Sequence, residues 1–297
     1  MRFDLAISGV ALAEPGPDFH LERYVEPNHL RRMDPLSGLA VAAARMATRD
    51  AGLTLARDRI AGATGVAFGT AFGCQTTELR YAERLVERGP YFTNPIDFPD
   101  SIDGAPAAHV AMELGLGGPS VTHADGHVAG ELATLHGALA IVNGRAERMV
   151  VAAGDHATPR FEQLAARCST VAARPGWNAG VAALVLESSR LARSRGADCY
   201  AVLRGVGFGS DPQTRPGRLP RATAGRTAAI DAALRGAGLT RAVVDRFDGD
   251  SDRVGRNGLA GLVGSCVAAI AGGDVRVIVH HATAPGGQSV ALALTSP

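Results

Sequence analysis

Three polar residues that could perform acid–base chemistry stand at alternate positions in one short segment. His123, Asp125 and His127 lie in the stretch from Gly118 to Gly130, which otherwise consists largely of small and apolar residues. An imidazole can act as a general base near neutral pH, and a neighbouring carboxylate can assist it. One interpretation is therefore that His127 and Asp125 form a catalytic acid–base pair. The alternative is a hydrogen-bonded structural cluster.

Two other clusters resemble metal sites but lack features that such sites need. The acidic run Asp248–Asp252 begins like a calcium loop, but Arg253 stands where that loop requires glycine and Leu259 where it requires glutamate. His280 and His281 are adjacent, and adjacent residues of a strand point to opposite faces of the sheet. The four cysteines form no C-x-x-C pair. We expect no metal site and no cofactor, and a structural role for the two histidines.

Composition narrows the class of protein. A chain of 297 residues that is 46% hydrophobic can bury a large core, as one domain or two fused halves. The net charge is +1 and the basic residues, all arginine, are spread singly, which argues against a nucleic-acid partner. The absence of lysine excludes Schiff-base enzymes and P-loop NTPases. Without a long apolar run or a signal-like N-terminus, we expect a cytoplasmic protein with no membrane segment.

Strand-like and helix-like segments alternate along the chain, which predicts an α/β fold with a mostly parallel sheet covered by helices. The predicted strands cover residues 4–10, 64–70, 120–124, 149–153, 179–187, 199–206, 275–280 and 289–294, with one more strand between residues 236 and 259. The predicted helices cover residues 35–51, 79–88, 128–143, 223–236 and 259–271. Gly52 is expected to end the first helix. Helix 128–143 is expected to have an apolar face made of Leu132, Leu135, Leu139 and Val142.

Short motifs are spread over most of the chain. They are Leu5–Gly9, Arg31–Pro35, Ala40–Arg45, Asp50–Leu53, Phe98–His109, Gly115–Ser120, Val150–Gly154, Val181–Glu187 and Arg195–Tyr200. In this order and spacing the chain resembles the β-ketoacyl synthases of fatty acid and polyketide biosynthesis, members of the thiolase superfamily. The resemblance implies a five-layer αβαβα sandwich of two similar halves, residues 1–165 and 166–297, with shortened loops.

The resemblance also implies a role for the segment around His127. In active ketosynthases a cysteine at the start of a buried helix attacks the acyl thioester, and the helix dipole favours its thiolate. An alignment without gaps from Gly118 to Gly130 places His127 at that cysteine. An imidazole is a poor replacement, because the dipole disfavours its cation and an acyl-imidazole hydrolyses readily. We therefore expect no covalent loading of an acyl chain.

Other positions of the family's site are also altered. The two family histidines align with Asp250 and with a position near Gly258. A glycine-rich turn beside the family's active site is matched by His280–Gln288 without its phenylalanine. The substrate-pocket candidates are His123, His156, Asp250, His281, Gly286 and Gly287. Thiolase-fold proteins dimerise through the strand before the nucleophile, which here implies an interface of Ser120, Val121, Thr122, His123 and Ala124.

Three functions remain open. The first is a catalytically degenerate ketosynthase-like protein, similar to chain-length-factor subunits, that pairs with a ketosynthase or a second copy and meets an acyl carrier protein. The second is an independent enzyme that uses His127 as general base in cyclisation, dehydration or hydrolysis of a carrier-bound or coenzyme A-bound polyketide. The third is a scaffold that binds an acyl ligand without turnover.

Overall fold

Nine strands make up the sheet in the part of the chain that the computed structural model describes, residues 2–53, 63–161, 163, 180–211, 224–249, 259, 262–273, 275–284 and 286–297. They are β1 (Arg2–Ala13), β2 (Thr64–Gly69), β3 (Ser120–His123), β4 (Arg148–Asp155), β5 (Gly180–Ser188), β6 (Ala201–Ser210), β7 (Arg246–Gly249), β8 (Val277–Thr283) and β9 (Gln288–Thr295). Their spatial order is β3-β2-β4-β5-β1-β6-β9-β8-β7.

Helices connect and cover these strands. The α-helices are α1 (Pro27–Leu30), α2 (Pro35–Asp50), α3 (Gln75–Arg88), α4 (Asp97–Asp100), α5 (Ala105–Leu114), α6 (Ala129–Val142), α7 (Ser189–Ser194), α8 (Ala224–Ala237) and α9 (Ala268–Ala271). A π-helix at Leu262–Val267 runs directly into α9. The 3-10 turns are Leu21–Arg23, Pro90–Phe92, Gly126–Val128 and Arg241–Val243. No helix of the described residues is long and apolar enough to cross a bilayer.

The sheet is mixed, and the expectation of a mostly parallel sheet is wrong. Parallel pairing occurs between β2 and β3, β2 and β4, and β7 and β8. The five pairings between these outer regions, from β4 through β5, β1, β6 and β9 to β8, are antiparallel. Only a crossover of a dozen or more residues makes neighbouring strands parallel, whereas a short turn such as that between β8 and β9 makes them antiparallel.

The strand order repeats about the β1–β6 pairing. In the first half, the successive pairings of β2-β4-β5-β1 are parallel, antiparallel and antiparallel. The successive pairings of β7-β8-β9-β6 in the second half have the same directions. Helices α2 and α8 follow the equivalent strands β1 and β6. The domain boundary predicted between residues 165 and 166 lies outside the described residues and stays a prediction.

Three hydrophobic clusters divide the fold into layers. One joins α2 and α5 to a face of the first half of the sheet, with Leu36, Val110 and Phe68 among its members. A central cluster contains residues of α6, of the segment from Leu259 to Ile270, and of both halves of the sheet. The third joins α8 to β8 and β9. Helices therefore lie outside each half of the sheet and between the halves, which confirms the αβαβα arrangement.

Helix α2 illustrates how local sequence sets an element. The Asp34 side chain accepts a hydrogen bond of 2.9 Å from the backbone N–H of Leu36, and Pro35 occupies the first helical position. Both are strong signals for a helix start. Gly52 has a φ of +66° and donates its N–H to the carbonyl of Arg49, so the predicted helix end is confirmed.

Helix α6 buries small residues more deeply than the predicted apolar face. Its buried face consists mainly of small residues, Ala129, Gly130, Ala133, Thr134, Gly137, Ala138 and Ala140. The three leucines of the predicted apolar face are partly buried and pack against the central cluster, whereas Val142 is 53% exposed. Small residues allow the helix to approach the sheet closely, as at Gly137, where an added Cβ would lie 2.9 Å from Val151. The face of α6 that lies closest to the sheet is therefore the one made of small residues.

Candidate functional site

The segment with His127 lies at one edge of the sheet. Strands β2, β3 and β4 are parallel, so their carboxyl ends meet at the same edge, where α/β folds commonly bind ligands. His127 belongs to the 3-10 turn that leads directly into α6. At the end of β2, a Cβ added to Gly69 would lie 2.5 Å from the carbonyl of Ala129. Glycine therefore lets the first turn of α6 pack against the strand end and fixes the position of His127.

The imidazole of His127 is half-buried against an aromatic ring. The Phe72 ring meets it edge-on, with 6.5 Å between ring centroids and 79° between planes. Burial lowers the pKa of His127 below its usual value, and the negative charge of Glu131 opposes this shift. Burial therefore favours the neutral imidazole, which is the state that a general base requires. The turn itself packs against β8 and β9 of the second half.

Asp125 is engaged by a different histidine. Its Oδ2 lies 2.9 Å from Nδ1 of His123, and Nε2 of His123 lies 2.7 Å from Nδ1 of His136. Burial, followed by the charge of His123, lowers the pKa of His136. Asp125, His123 and His136 thus form a hydrogen-bonded row at the exposed edge of the sheet. In the structure Asp125 is hydrogen-bonded to His123. The catalytic pairing of Asp125 with His127 stays a prediction.

Asp155, at the end of β4, fixes the loop that carries Phe72. Its Oδ1 accepts hydrogen bonds from the hydroxyl of Thr70 (2.6 Å) and from the backbone N–H groups of Ala71 (2.9 Å) and Phe72 (3.0 Å). Burial raises the pKa of Asp155 to about 6, and the hydrogen bonds partly oppose this shift. The Phe72 ring also packs at 5.0 Å from that of Phe161. Asp155 therefore supports the aromatic wall beside His127, a role that the sequence did not indicate.

The remaining pocket candidates lie on neighbouring segments. Nδ1 of His156, just after β4, is 3.5 Å from the hydroxyl of Thr76. Gly286 and Gly287 belong to the turn between β8 and β9, where Gly287 has a φ of +84° and donates its N–H to the carbonyl of Ala284 at 2.9 Å. Asp250 and the position near Gly258 lie outside the described residues.

A buried acid–base pair connects the two halves and was missed from the sequence. Glu131, in the first turn of α6, has Oε1 2.9 Å from Nε2 of His280 on β8. The two side chains are only 1% and 2% exposed. The other oxygen, Oε2, has no hydrogen-bond partner among the described residues. The available signal was an acidic residue four positions after His127 within a run of small residues, a spacing that places both on one side of a helix.

His281 faces the opposite side of the sheet from His280, as predicted for adjacent strand residues. Its ring packs on Gly249 of β7, where an added Cβ would lie within 2.0 Å of the imidazole. Burial, then the positive charges of His280 and Arg226, lowers the pKa of His281 to about 4, although Asp248 acts in the other direction. Within the described ranges, no three His, Cys, Asp or Glu side chains are grouped as a metal site would need.

The predicted interface strand is an edge strand. Among the described residues, β3 is the last strand on the side away from β2, and none of Ser120, Val121, Thr122, His123 and Ala124 is fully buried. Backbone groups on an open edge are available for pairing with another chain. The partly buried leucines of α6 lie in the helix that packs on this strand. These leucines also pack against the central cluster. Strand β3 and the partly exposed leucines of α6 are called the edge surface below.

The chain matches the model of a known family. Residues 19–173, just over half of the chain, match the family model described as "Beta-ketoacyl synthase, N-terminal domain". The chain therefore belongs to the β-ketoacyl synthase family, within the thiolase superfamily, and the family prediction is confirmed.

Curated relatives are similar over most of this chain. The 3-oxoacyl-[acyl-carrier-protein] synthase 2 of Vibrio harveyi is 28% identical over 260 residues, which cover 80% of this chain and 61% of the relative. The synthase of the same description from Staphylococcus aureus (strain N315) gives the same identity and coverage. The matched region thus spans less than two thirds of the length of these relatives.

Solved structures show the same fold. A β-ketoacyl synthase from Burkholderia phymatum STM815 superposes with a TM-score of 0.80 at 16% identity, covering 100% of both chains. The ishigamide ketosynthase/chain length factor gives 0.78 at 19% identity, also with 100% of both chains covered. AntDE:AntF, described as a type II polyketide synthase acyl-carrier protein in complex with its ketosynthase bound to the hexaketide, gives 0.79 at 19%, with 100% and 99% covered.

Proposed function

We propose that this protein is a β-ketoacyl synthase homologue without condensing activity that acts as an accessory subunit of a ketosynthase in polyketide or fatty acid biosynthesis. The observation that carries the proposal is His127 in the turn that leads into α6, where the resemblance places the family's cysteine. The strand ends and helix around that position are retained. A ketosynthase fold that lacks the nucleophilic thiol favours a role in binding a partner over covalent catalysis.

The edge surface supports a protein partner. An open strand beside partly exposed leucines provides both backbone pairing and apolar contact area for a second thiolase-fold chain. Two of the similar structures are described as a ketosynthase with a chain length factor and a ketosynthase with an acyl-carrier protein. By analogy, the partners proposed for this chain are a ketosynthase, or a second copy, and an acyl carrier protein.

Acyl loading tests the absence of condensing chemistry. The protein is incubated with acyl-carrier-protein and acyl-coenzyme A thioesters, and intact-mass and peptide mass spectrometry locate any acyl group. We expect none at residue 127. His127→Cys is the matched variant, and a thiol at this helix start is expected to gain an acyl group because the dipole favours its thiolate. An acyl group that persists on His127 itself would contradict the proposal.

A second candidate function is proton-transfer chemistry on a carrier-bound or coenzyme A-bound polyketide, with His127 as general base. The observation that favours it is the lowered pKa of the half-buried imidazole. In a reconstituted pathway, His127→Gln should then reduce formation of the cyclised, dehydrated or hydrolysed product by about 100-fold or more. Unchanged product formation would eliminate this candidate and leave the accessory role.

A further inference from the structure

The 3-10 turn that carries His127 leads into α6, and the first turn of that helix carries the carboxylate of Glu131. His127 and Glu131 are four residues apart on the continuous helical path of the 3-10 turn and α6. Side chains at this spacing are neighbours, one turn apart on the same side of a helix. The negative charge of Glu131 acts on the imidazole of His127. Asp125, the acid partner expected from the sequence, instead binds His123 through its carboxylate.

Glu131 is held in a way that leaves one oxygen available. The side chain is 1% exposed, and His280 fixes Oε1 from the second half of the fold at 2.9 Å. Oε2 is buried without a hydrogen-bond partner among the described residues. Buried carboxylate oxygens are nearly always hydrogen-bonded, so an unpaired one requires a reason. An interaction with a positive charge that forms only during reaction is such a reason.

We propose that Glu131, positioned by His280, is the carboxylate partner of His127 and stabilises the imidazolium that forms when His127 accepts a proton. The inference deepens the second candidate function and rests on it for its chemical meaning. The substrate class is a β-ketoacyl thioester, whose C–H bond between two carbonyls is acidic. The C–H bond breaks, its electron pair stays on the substrate as an enolate, and an N–H bond forms on His127. The proton then returns to the product or to water.

In this arrangement Glu131 is a positioning residue and His127 the catalytic one. The charged and titratable groups around the imidazole come from several elements. Glu131 lies on its own helix, and His280 approaches from β8 through Glu131. Asp155 lies behind Phe72, where it accepts the backbone N–H of that residue. Asp125 precedes the turn and is bound to His123. Glu131 is thus the buried carboxylate that can respond to protonation of His127.

The test compares the two candidate carboxylates by NMR. The chain has nine histidines, and the imidazole signals of His127 are assigned by their loss in His127→Gln. The pKa of His127 is then measured in the wild type, in Glu131→Gln and in the matched control Asp125→Asn. We expect Glu131→Gln to lower the pKa of His127 further, because the opposing negative charge is gone, and Asp125→Asn to leave it unchanged. A shift in Asp125→Asn alone, or in neither variant, would overturn the inference.

A more conservative variant covers the case in which Glu131→Gln fails to fold. Glu131→Asp keeps the negative charge but withdraws it by one methylene group, so the pKa of His127 should still fall below the wild-type value. An unchanged pKa in this variant would count against Glu131 as the partner. Because the titration needs no substrate, its result is independent of the reconstituted pathway. A shifted pKa with unchanged product in His127→Gln would eliminate the second candidate function but keep the pairing.

Discussion

Two imidazole–carboxylate pairs with the same separation lie in opposite environments. His123 and Asp125, at the edge of the sheet, are 2.9 Å apart with side chains 17% and 49% exposed. His280 and Glu131, between the halves, are also 2.9 Å apart but 2% and 1% exposed. An exposed pair is worth about 0–1 kcal/mol, whereas breaking a buried pair leaves an uncompensated polar group that is costly. Burial, and not pair chemistry, therefore decides what each pair contributes to stability.

The largest expected difference is between truncations of the two carboxylates. Glu131→Ala should reduce the free energy of unfolding by about 3–5 kcal/mol, because His280 loses its partner inside the central layer. Asp125→Ala should cost about 1 kcal/mol or less. Urea denaturation followed by circular dichroism measures both. Equal losses in the two variants would show that the pairs do not differ in environment as described.

A second difference concerns acid. The pKa of His281 is about 4 in the fold against an ordinary 6.5, so the folded state binds fewer protons between these values. Its contribution to stability is present above pH 6.5 and is lost as the pH falls towards 4, by about 3 kcal/mol. His281→Gln should therefore lose less stability than the wild type between pH 7 and pH 4. Urea midpoints measured across this range provide the comparison.

Asp155, at the end of β4, is the matched control, because folding shifts its pKa in the opposite direction to that of His281. Its pKa is raised from 3.8 to about 6, so its neutral form is favoured by folding. That contribution is present below pH 3.8 and is lost as the pH rises through 6. Asp155→Asn should therefore lose more stability than the wild type on acidification. If both variants followed the wild-type pH profile, the burial of these two groups would be wrong.

A smaller effect is expected where glycine packs on an imidazole. Gly249→Ala would place a methyl group within 2.0 Å of the His281 ring, so overpacking should cost about 1–3 kcal/mol. Gly104 is the control, because a Cβ added there would meet nothing within 4 Å, and Gly104→Ala should change the free energy of unfolding by less than about 0.5 kcal/mol. Thermal unfolding of both variants would separate them, and similar melting temperatures would contradict the close packing of β7 on His281.

The smallest effect concerns the loop that supports Phe72. Thr70→Val removes the hydrogen bond that the Thr70 hydroxyl donates to Asp155 and the one of 2.9 Å that it accepts from the backbone N–H of Gly73, but it leaves those that Asp155 accepts from Ala71 and Phe72. The expected loss is about 1–2 kcal/mol, with a matching change in the aromatic signals of Phe72 in NMR spectra. Thr76→Val, which removes only the long 3.5 Å contact to His156, is the control and should be near neutral. A larger loss in Thr76→Val than in Thr70→Val would contradict the described geometry.

Local sequence signals predicted most elements but not how they pair. Proline and aspartate at the start of α2 and Gly52 at its end specify that helix by short-range chemistry. Alternation of strands and helices indicated the α/β class. It could not indicate the antiparallel centre of the sheet, because pairing directions depend on which strands become neighbours. Helix α5 was missed, although Pro106 near its start and Gly115 at its end, with a φ of +66°, are ordinary boundary signals.

The candidate site could be predicted only in part, because local sequence does not show which distant residues meet in the fold. The position of His127 follows from a continuous match along the sequence. The partner of Glu131 does not, because His280 is 149 residues away and meets it only when the halves pack. The sequence suggested one cluster of His123, Asp125 and His127, but the hydrogen bond between His123 and Asp125 required the strand geometry. The sequence alone could not predict such long-range contacts through the central layer.

Sedimentation velocity tests the central claim most directly. The purified protein is analysed alone and mixed with the ketosynthase encoded nearest to it, and the acyl carrier protein is then added. The accessory-subunit account predicts a stoichiometric heterodimer that is weakened by Val121→Asp on the edge strand β3. A protein that remains monomeric and binds neither the ketosynthase nor the carrier protein would contradict the account.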